Sequence, residues 1–124
     1  MRKPSPTLTP QELEIMKAVW ARGQATVRDV YEELLAGRRV AYTTVMTMMN
    51  VLERKGHLRK RAEGRSFLYR PTRPQSQVVG TMVRDFVKRV FGGSAQPLLV
   101  HLVEEHDLSP EDLDALARRI EKKR

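Results

Sequence analysis

Apolar side chains recur every three to four positions in six stretches of this chain, and alternate in one short stretch after the third. Leu13, Met16, Val19 and Trp20 form the first stripe, the period of an α-helix with one buried face. Thr9-Pro10 ahead of it is a helix start, a capping hydroxyl followed by proline at the first helical position. Gly23 is its stop. Val27, Val30, Tyr31 and Leu34 make a second stripe behind Thr26 and Asp29, a capping box with Asp in place of the usual Glu or Gln, and Gly37 closes it. A third helix is predicted over about Tyr42 to Lys55. Val45, Met48, Met49 and Leu52 lie at i, i+3, i+4 and i+7 and define its buried face. Its other face carries Tyr42, Thr43, Met46, Thr47 and Asn50, and Gly56 ends it.

The pattern then changes period. Leu58 and Lys60 on one side of Glu63-Gly64, with Phe67 and Tyr69 on the other, predict a hairpin of two short strands over 58–62 and 65–70. Pro71 and Pro74 close this part. Helical spacing returns with Val79, Met82, Val83, Phe86 and Val90 up to Gly92-Gly93. Ser94 is the expected cap of a fifth helix carrying Leu98, Leu99, Leu102 and Val103. Ser109-Pro110-Glu111-Asp112 combines cap, proline and first-turn acids ahead of a sixth stripe, Leu113, Leu116, Ala117 and Ile120. No internal repeat or low-complexity tract interrupts the order.

Two units follow: 1–74, three helices and a hairpin, and 75–124, three helices. The second has 50 residues, below the roughly 70–80 at which a single core usually suffices. Its first helix is too broadly apolar to be covered by two short neighbours, so it is expected to bury that face against a second copy. The expected dimerisation residues are Val79, Met82, Val83, Phe86 and Val90, with Leu98, Leu102, Leu113, Leu116 and Ile120.

Charge separates the same two parts. Residues 1–75 hold 15 Lys/Arg against 7 Asp/Glu, and the remainder holds 8 against 8. The whole formal excess of +8 therefore lies in the first part, which points to a nucleic acid or an anionic surface as its partner. No stretch approaches the roughly 20 apolar residues of a bilayer span. The polar opening MRKPSPTLTP has no apolar signal region, so a cytoplasmic protein without membrane insertion is expected. There are no cysteines, which removes disulfides, thiolate metal sites and a Cys nucleophile.

Three helices followed by a basic hairpin is the order of a winged helix-turn-helix. The third helix, buried along one side, can enter a major groove with the other. Thr43, Thr44, Thr47 and Asn50 can reach base edges or phosphates, and the methyls of threonine and Met46 can touch thymine methyls. Tyr42 can reach a phosphate or pack on a sugar. Residues 40–53 contain no Arg or Lys, so bidentate guanine readout by this helix is not expected. Cations surround it instead: Arg54, Lys55, Arg59, Lys60, Arg61, Arg65, Arg70 and Arg73. A hairpin bearing Arg61 and Arg65 can follow the phosphate backbone or enter a minor groove. The expected DNA-binding set is Tyr42, Thr43, Thr44, Met46, Thr47, Asn50, Arg54, Lys55, Arg61 and Arg65. Two rivals remain. A winged helix can dock an acidic protein partner through the same basic face. An enzyme would need convergent carboxylates or a nucleophile–base pair, and the acids lie mainly in the unit without basic surplus. His57, His101 and His106 lack ligand spacing, and Glu104, Glu105, Asp107, Glu111, Asp112 and Asp114 read as caps and surface charge. Neither metal nor cofactor is expected.

The segments LTPQELEIMKAVW, ATVRDVYEELL, AYTTVMTMMNVLERKGHL and RSFLYRP, with VFGGSAQPLLVHLVEEHDLSPEDLDALARRIEKK, resemble penicillinase repressors of the BlaI/MecI type along nearly the whole chain. The resemblance implies a mainly α fold with a small β-hairpin wing, a winged helix-turn-helix joined to a three-helix dimerisation unit. It implies a homodimer on a palindromic double-stranded operator, repressing beta-lactamase or related resistance and stress genes. In such proteins a membrane-bound sensor protease cleaves an Asn-Phe bond, which aligns here with His101-Leu102. The family's recognition-helix lysine and arginine align with Thr43 and Met46, while Thr44 and Thr47 match. Copper-responsive relatives carry cysteine motifs that this chain lacks.

Overall fold

The computed structural model describes residues 8–105 and 107–123; the first seven residues, His106 and Arg124 lie outside the described residues. The order is α1 (Pro10–Arg22), α2 (Val27–Leu35), α3 (Tyr42–Arg54), β1 (Leu58–Glu63), β2 (Ser66–Pro71), α4 (Gln75–Phe91), α5 (Gln96–Glu104) and α6 (Pro110–Lys123). The fold is the expected one: mainly helical, with a two-stranded antiparallel wing.

Local chemistry sets most of these boundaries. The Glu12 amide donates to Thr9 Oγ1 at 3.1 Å while the Thr9 amide donates to the Glu12 carboxylate at 2.9 Å. Thr26 and Asp29 make the same reciprocal pair at the head of α2, as do Ser109 and Asp112 at α6. Each box satisfies two amides that a helix start leaves open. Gly23 closes α1 with φ +82°, a left-handed conformation costly to any residue with a Cβ. Two boundaries differ from expectation. Ser94 does not cap α5, which begins after Ala95 without a side-chain cap; Pro97 occupies its first turn and provides the start. The wing turn falls on Gly64-Arg65, one residue later than expected, because Glu63 pairs with Ser66.

The described residues form two compact units that divide between Met82 and Val83. The first has a closed core: Ile15, Met16 and Val19 from α1, Val30 and Leu34 from α2, Val45, Met49 and Leu52 from α3, with Leu58 and Tyr69 from the wing. Val78 joins this core and Met82 packs against it. The opening turns of α4 thus complete the first unit's core, although the sequence reading places its junction at 74/75. Met82, expected at a dimer face, is partly committed here. The second unit buries far less. Among its described residues only Val87 is buried. Phe86 and Phe91 meet edge to face at 5.9 Å, and Phe91 lies 6.0 Å from the ring of His101.

Candidate nucleic-acid interface

Burial of Val45, Met49 and Leu52 fixes the rotation of α3 about its axis. A helix so anchored must present the opposite side outward, and Tyr42, Thr43, Thr44, Met46 and Thr47 are all exposed. Ala41 precedes the helix and gives no side-chain cap; the Thr44 amide turns back to the Ala41 carbonyl at 3.1 Å, and the helix start, without a capping side chain, is a position suited to anions.

The wing is held beside this face by both ends. At its base Thr72 donates its hydroxyl to the Gly56 carbonyl at 2.7 Å, and its amide to that of His57 at 3.0 Å. Ala25 and Tyr69 exchange backbone hydrogen bonds of 2.9 and 2.8 Å, which pin β2 to the α1–α2 connection. At the level of α3, Tyr69 donates its hydroxyl to Asn50 Oδ1 at 3.0 Å, and Lys60 Nζ donates to the same oxygen at 3.4 Å. Lys60 also lies 3.8 Å from Glu53 and 4.7 Å from the centre of the Phe67 ring. Burial first, and then the charge of Glu53, raise the Tyr69 phenol above its ordinary value of 10.0, which keeps it protonated as the donor to Asn50.

Between α2, α3 and the wing runs a groove of about 540 Å³. Tyr42, Met46 and Phe67 supply apolar surface; Arg28, Lys60 and Arg65 supply cations. Arg65 sits in the wing turn beside Gly64, whose φ is +60°, and Arg61 lies on β1 just before the turn. Arg61 reaches Glu63 at 3.5 Å, but both side chains are about 60% exposed, and such a pair holds its partners weakly. Arg54 is exposed at the end of α3.

Two residues of the expected set have other duties. Lys55 donates to both carboxylate oxygens of Glu12, at 3.1 and 2.8 Å, with its side chain only 26% exposed. It ties the end of α3 to the start of α1. Burial alone would raise the Glu12 carboxyl, but the Lys55 ammonium and the Thr9 amide outweigh it and hold the group below its usual 4.5. Asn50 lines the groove and links α3 to the wing, its carbonyl oxygen accepting from Tyr69 and Lys60. Conversely, Arg28 and Phe67 enter the groove without having been singled out in the sequence. The Arg28 guanidinium lies 5.3 Å from the Tyr42 ring centre, and Tyr42 meets Tyr31 edge to face at 5.4 Å. An exposed Arg in the first turn of a helix has no sequence signal to separate it from a solvated one.

Of the expected dimerisation residues, Val79, Val83, Phe86 and Val90 on α4, and Leu116 and Ile120 on α6, are large and exposed; Leu98, Leu102 and Leu113 are partly buried. Val79 belongs by packing to the first unit's end of α4. His101 is exposed and Leu102 partly so, both inside α5, where the His101 carbonyl accepts the Glu105 amide at 2.9 Å. Among the described residues no cluster of His, Cys, Asp or Glu is arranged to hold a metal ion, and no helix is long and apolar enough to cross a membrane.

The chain and its fold have relatives among known proteins. The Penicillinase repressor family model matches residues 8–122. The penicillinase repressor of Bacillus licheniformis is 29% identical over 119 residues, covering 96% of this chain and 93% of that one. The transcriptional regulator BlaI of Mycobacterium tuberculosis is 36% identical over 111 residues, covering 88% and 79%. The solution structure of monomeric Bacillus licheniformis BlaI in complex with the blaP half-operator superposes with a TM-score of 0.50 at 32% identity, over 60% of this chain and 89% of that one.

Proposed function

This chain belongs to the penicillinase repressor family of DNA-binding transcriptional regulators, and from that premise we propose that it is a homodimeric repressor, each protomer laying α3 in the major groove of one half of a palindromic operator. The observation that carries this reading is the groove in which Tyr42 and Met46 of α3 face Arg28 of α2 and Lys60 and Arg65 of the wing, beside the exposed Thr43, Thr44 and Thr47. Thr43, Thr44, Met46 and Thr47 meet base edges. Tyr42, Arg28, Arg54, Arg61 and Arg65 meet the backbone, which fixes register without reading sequence. Lys55 and Asn50 hold the scaffold that aims them.

The second copy supplies what the second unit lacks. The apolar side chains of α4 and α6 are exposed in one chain, and burying them against themselves gives the dimer. Two-fold symmetry then requires half-sites separated by about 10 base pairs or a multiple of it. The regulated genes in this reading are those of beta-lactamase or related resistance functions, and the protein works in the cytoplasm. Release by a membrane-bound sensor protease runs through His101-Leu102, and α5 must unwind first, because proteases favour exposed irregular chain over helix.

The test is selection of duplexes from a random pool by the full-length protein, followed by a salt titration of the enriched duplex. A palindrome is expected, with a log–log salt slope near −5 for about six neutralised phosphates. Failure to enrich any duplex over competitor DNA overturns the proposal.

A further inference from the structure

From its start to Leu52 the outward face of α3 carries no formal charge. From Val40 to Leu52 the chain holds no Lys, Arg, Asp or Glu, and the outward residues Thr43, Thr44 and Thr47 offer hydroxyl and methyl groups only. Met46 stands among them, 39% exposed, on the wall of the groove that it shares with Tyr42 and Phe67. The cations of this surface belong to α2, the wing and the end of α3: Arg28 lies against the Tyr42 ring and Lys60 against the Phe67 ring, and no cation comes from the outward face of α3 between them.

Guanine is usually read by a guanidinium or ammonium on O6 and N7, cytosine by a carboxylate on N4, and adenine by a carboxamide on N6 and N7. The central outward surface of α3 has none of the first two groups, and the nearby carboxamide, Asn50, has its oxygen occupied by Tyr69 and Lys60. One major-groove feature remains that an unbranched thioether fits, the C5-methyl of thymine. Methionine is well suited to it, being flexible and polarizable enough to follow a methyl group.

We infer that this chain's base preference rests on apolar contact, with Met46 as the specificity-determining residue for a thymine in each half-site. The inference rests on the operator-binding reading above and adds the chemistry by which the base is chosen. Thr47, one position on, covers the neighbouring base step, and the wing and Arg28 supply affinity that is blind to sequence.

Replacing thymine by uracil removes the methyl group and leaves every hydrogen-bonding edge intact, so it isolates this contact. The duplex enriched by the full-length protein is synthesised with uracil at each thymine in turn, and competition binding is measured at one salt concentration. At one symmetry-related thymine per half-site, uracil is expected to weaken binding about fourfold, the factor for one buried methyl group. Met46→Ala is expected to bind the thymine and uracil duplexes equally, and Met46→Leu to keep most of the difference. Because Met46 is exposed, both variants should melt as the parent does. Met46→Arg is expected to move the preference at that position toward guanine. Uracil tolerated at every position overturns the inference while leaving operator binding intact; so does a uracil effect that persists in Met46→Ala. If no duplex is enriched at all, the operator-binding reading falls and takes this inference with it.

Discussion

The two units of this chain dispose of their apolar surface in opposite ways. In the first, side chains from three helices and the wing close around one another, and Val19, Val30, Val45, Met49 and Leu52 are wholly shielded from solvent. In the second, α4, α5 and α6 have stripes as regular as those of the first, yet Val83, Phe86, Val90, Leu116 and Ile120 stay open. Regular spacing therefore forms a helix in both places but a core only in one. The difference is geometric: the wing and the α1–α2 connection lock three helices together, whereas the second unit has too few elements to cover its own surface. The first unit can present a rigid reading head. The second gains its stability from whatever covers it, in this account another copy.

The largest expected effect comes from breaking that cover. Phe86→Glu should convert the dimer to monomer in sedimentation at micromolar concentration. It should weaken operator binding by about 100-fold or more, since two linked half-site contacts become one. A variant that stays dimeric would mean that α4 is not the interface. In the parent protein, melting of the second unit should rise with protein concentration while that of the first does not.

Next is the closed core of the first unit. Leu52→Ala should cost about 3 kcal/mol in urea unfolding, the usual loss for a fully buried leucine, and should leave the dimer intact.

Smaller still is the Glu12–Lys55 pair. The folded Glu12 carboxyl titrates below its ordinary 4.5, so its stabilisation is complete above that value and is lost as pH falls through the lowered folded pKa. Glu12→Gln should lower stability at neutral pH by about 2 kcal/mol, in the range of a charge-assisted hydrogen bond. It should also flatten the acid limb of a pH–stability curve. An unchanged acid limb would remove the pair from the account.

The smallest effect separates affinity from readout. Arg65→Ala should weaken all duplexes alike and reduce the salt slope by about one, whereas Thr47→Ala should relax preference at one base position with little change in slope. If Arg65→Ala altered sequence preference instead, the wing would be reading bases.

Much of the first unit is legible in the sequence because its signals are local. Thr9 and Thr26 each cap a helix with a partner three residues on, as Ser109 does in the second unit, and glycine marks the end of α1 and the wing turn. The stripe Val45–Leu52 alone suffices to tell which side of α3 is outward. What stayed hidden depends on chain folded from elsewhere. Lys55 reads as one more cation in a basic run, and only Glu12, 43 residues earlier, shows that it is structural. Nothing near Asn50 in sequence shows that its oxygen accepts from Tyr69, 19 residues later. Arg28 and Phe67 carry no local mark and become notable only when α2 and the wing face one groove. The extension of the first core into α4, through Val78 and Met82, is hidden for the same reason: a single apolar stripe gives no sign that its two ends serve different partners.

The central claim is that the reading head is the outward face of α3 together with the wing. Its most direct test is an amide NMR titration of the full-length protein with the enriched palindromic duplex. The amides of Thr43, Thr44, Met46 and Thr47 are expected to shift most, with those of Arg61 and Arg65, while Glu14 and Lys17 of α1 stay still. Saturable binding that leaves α3 and the wing unshifted would contradict it.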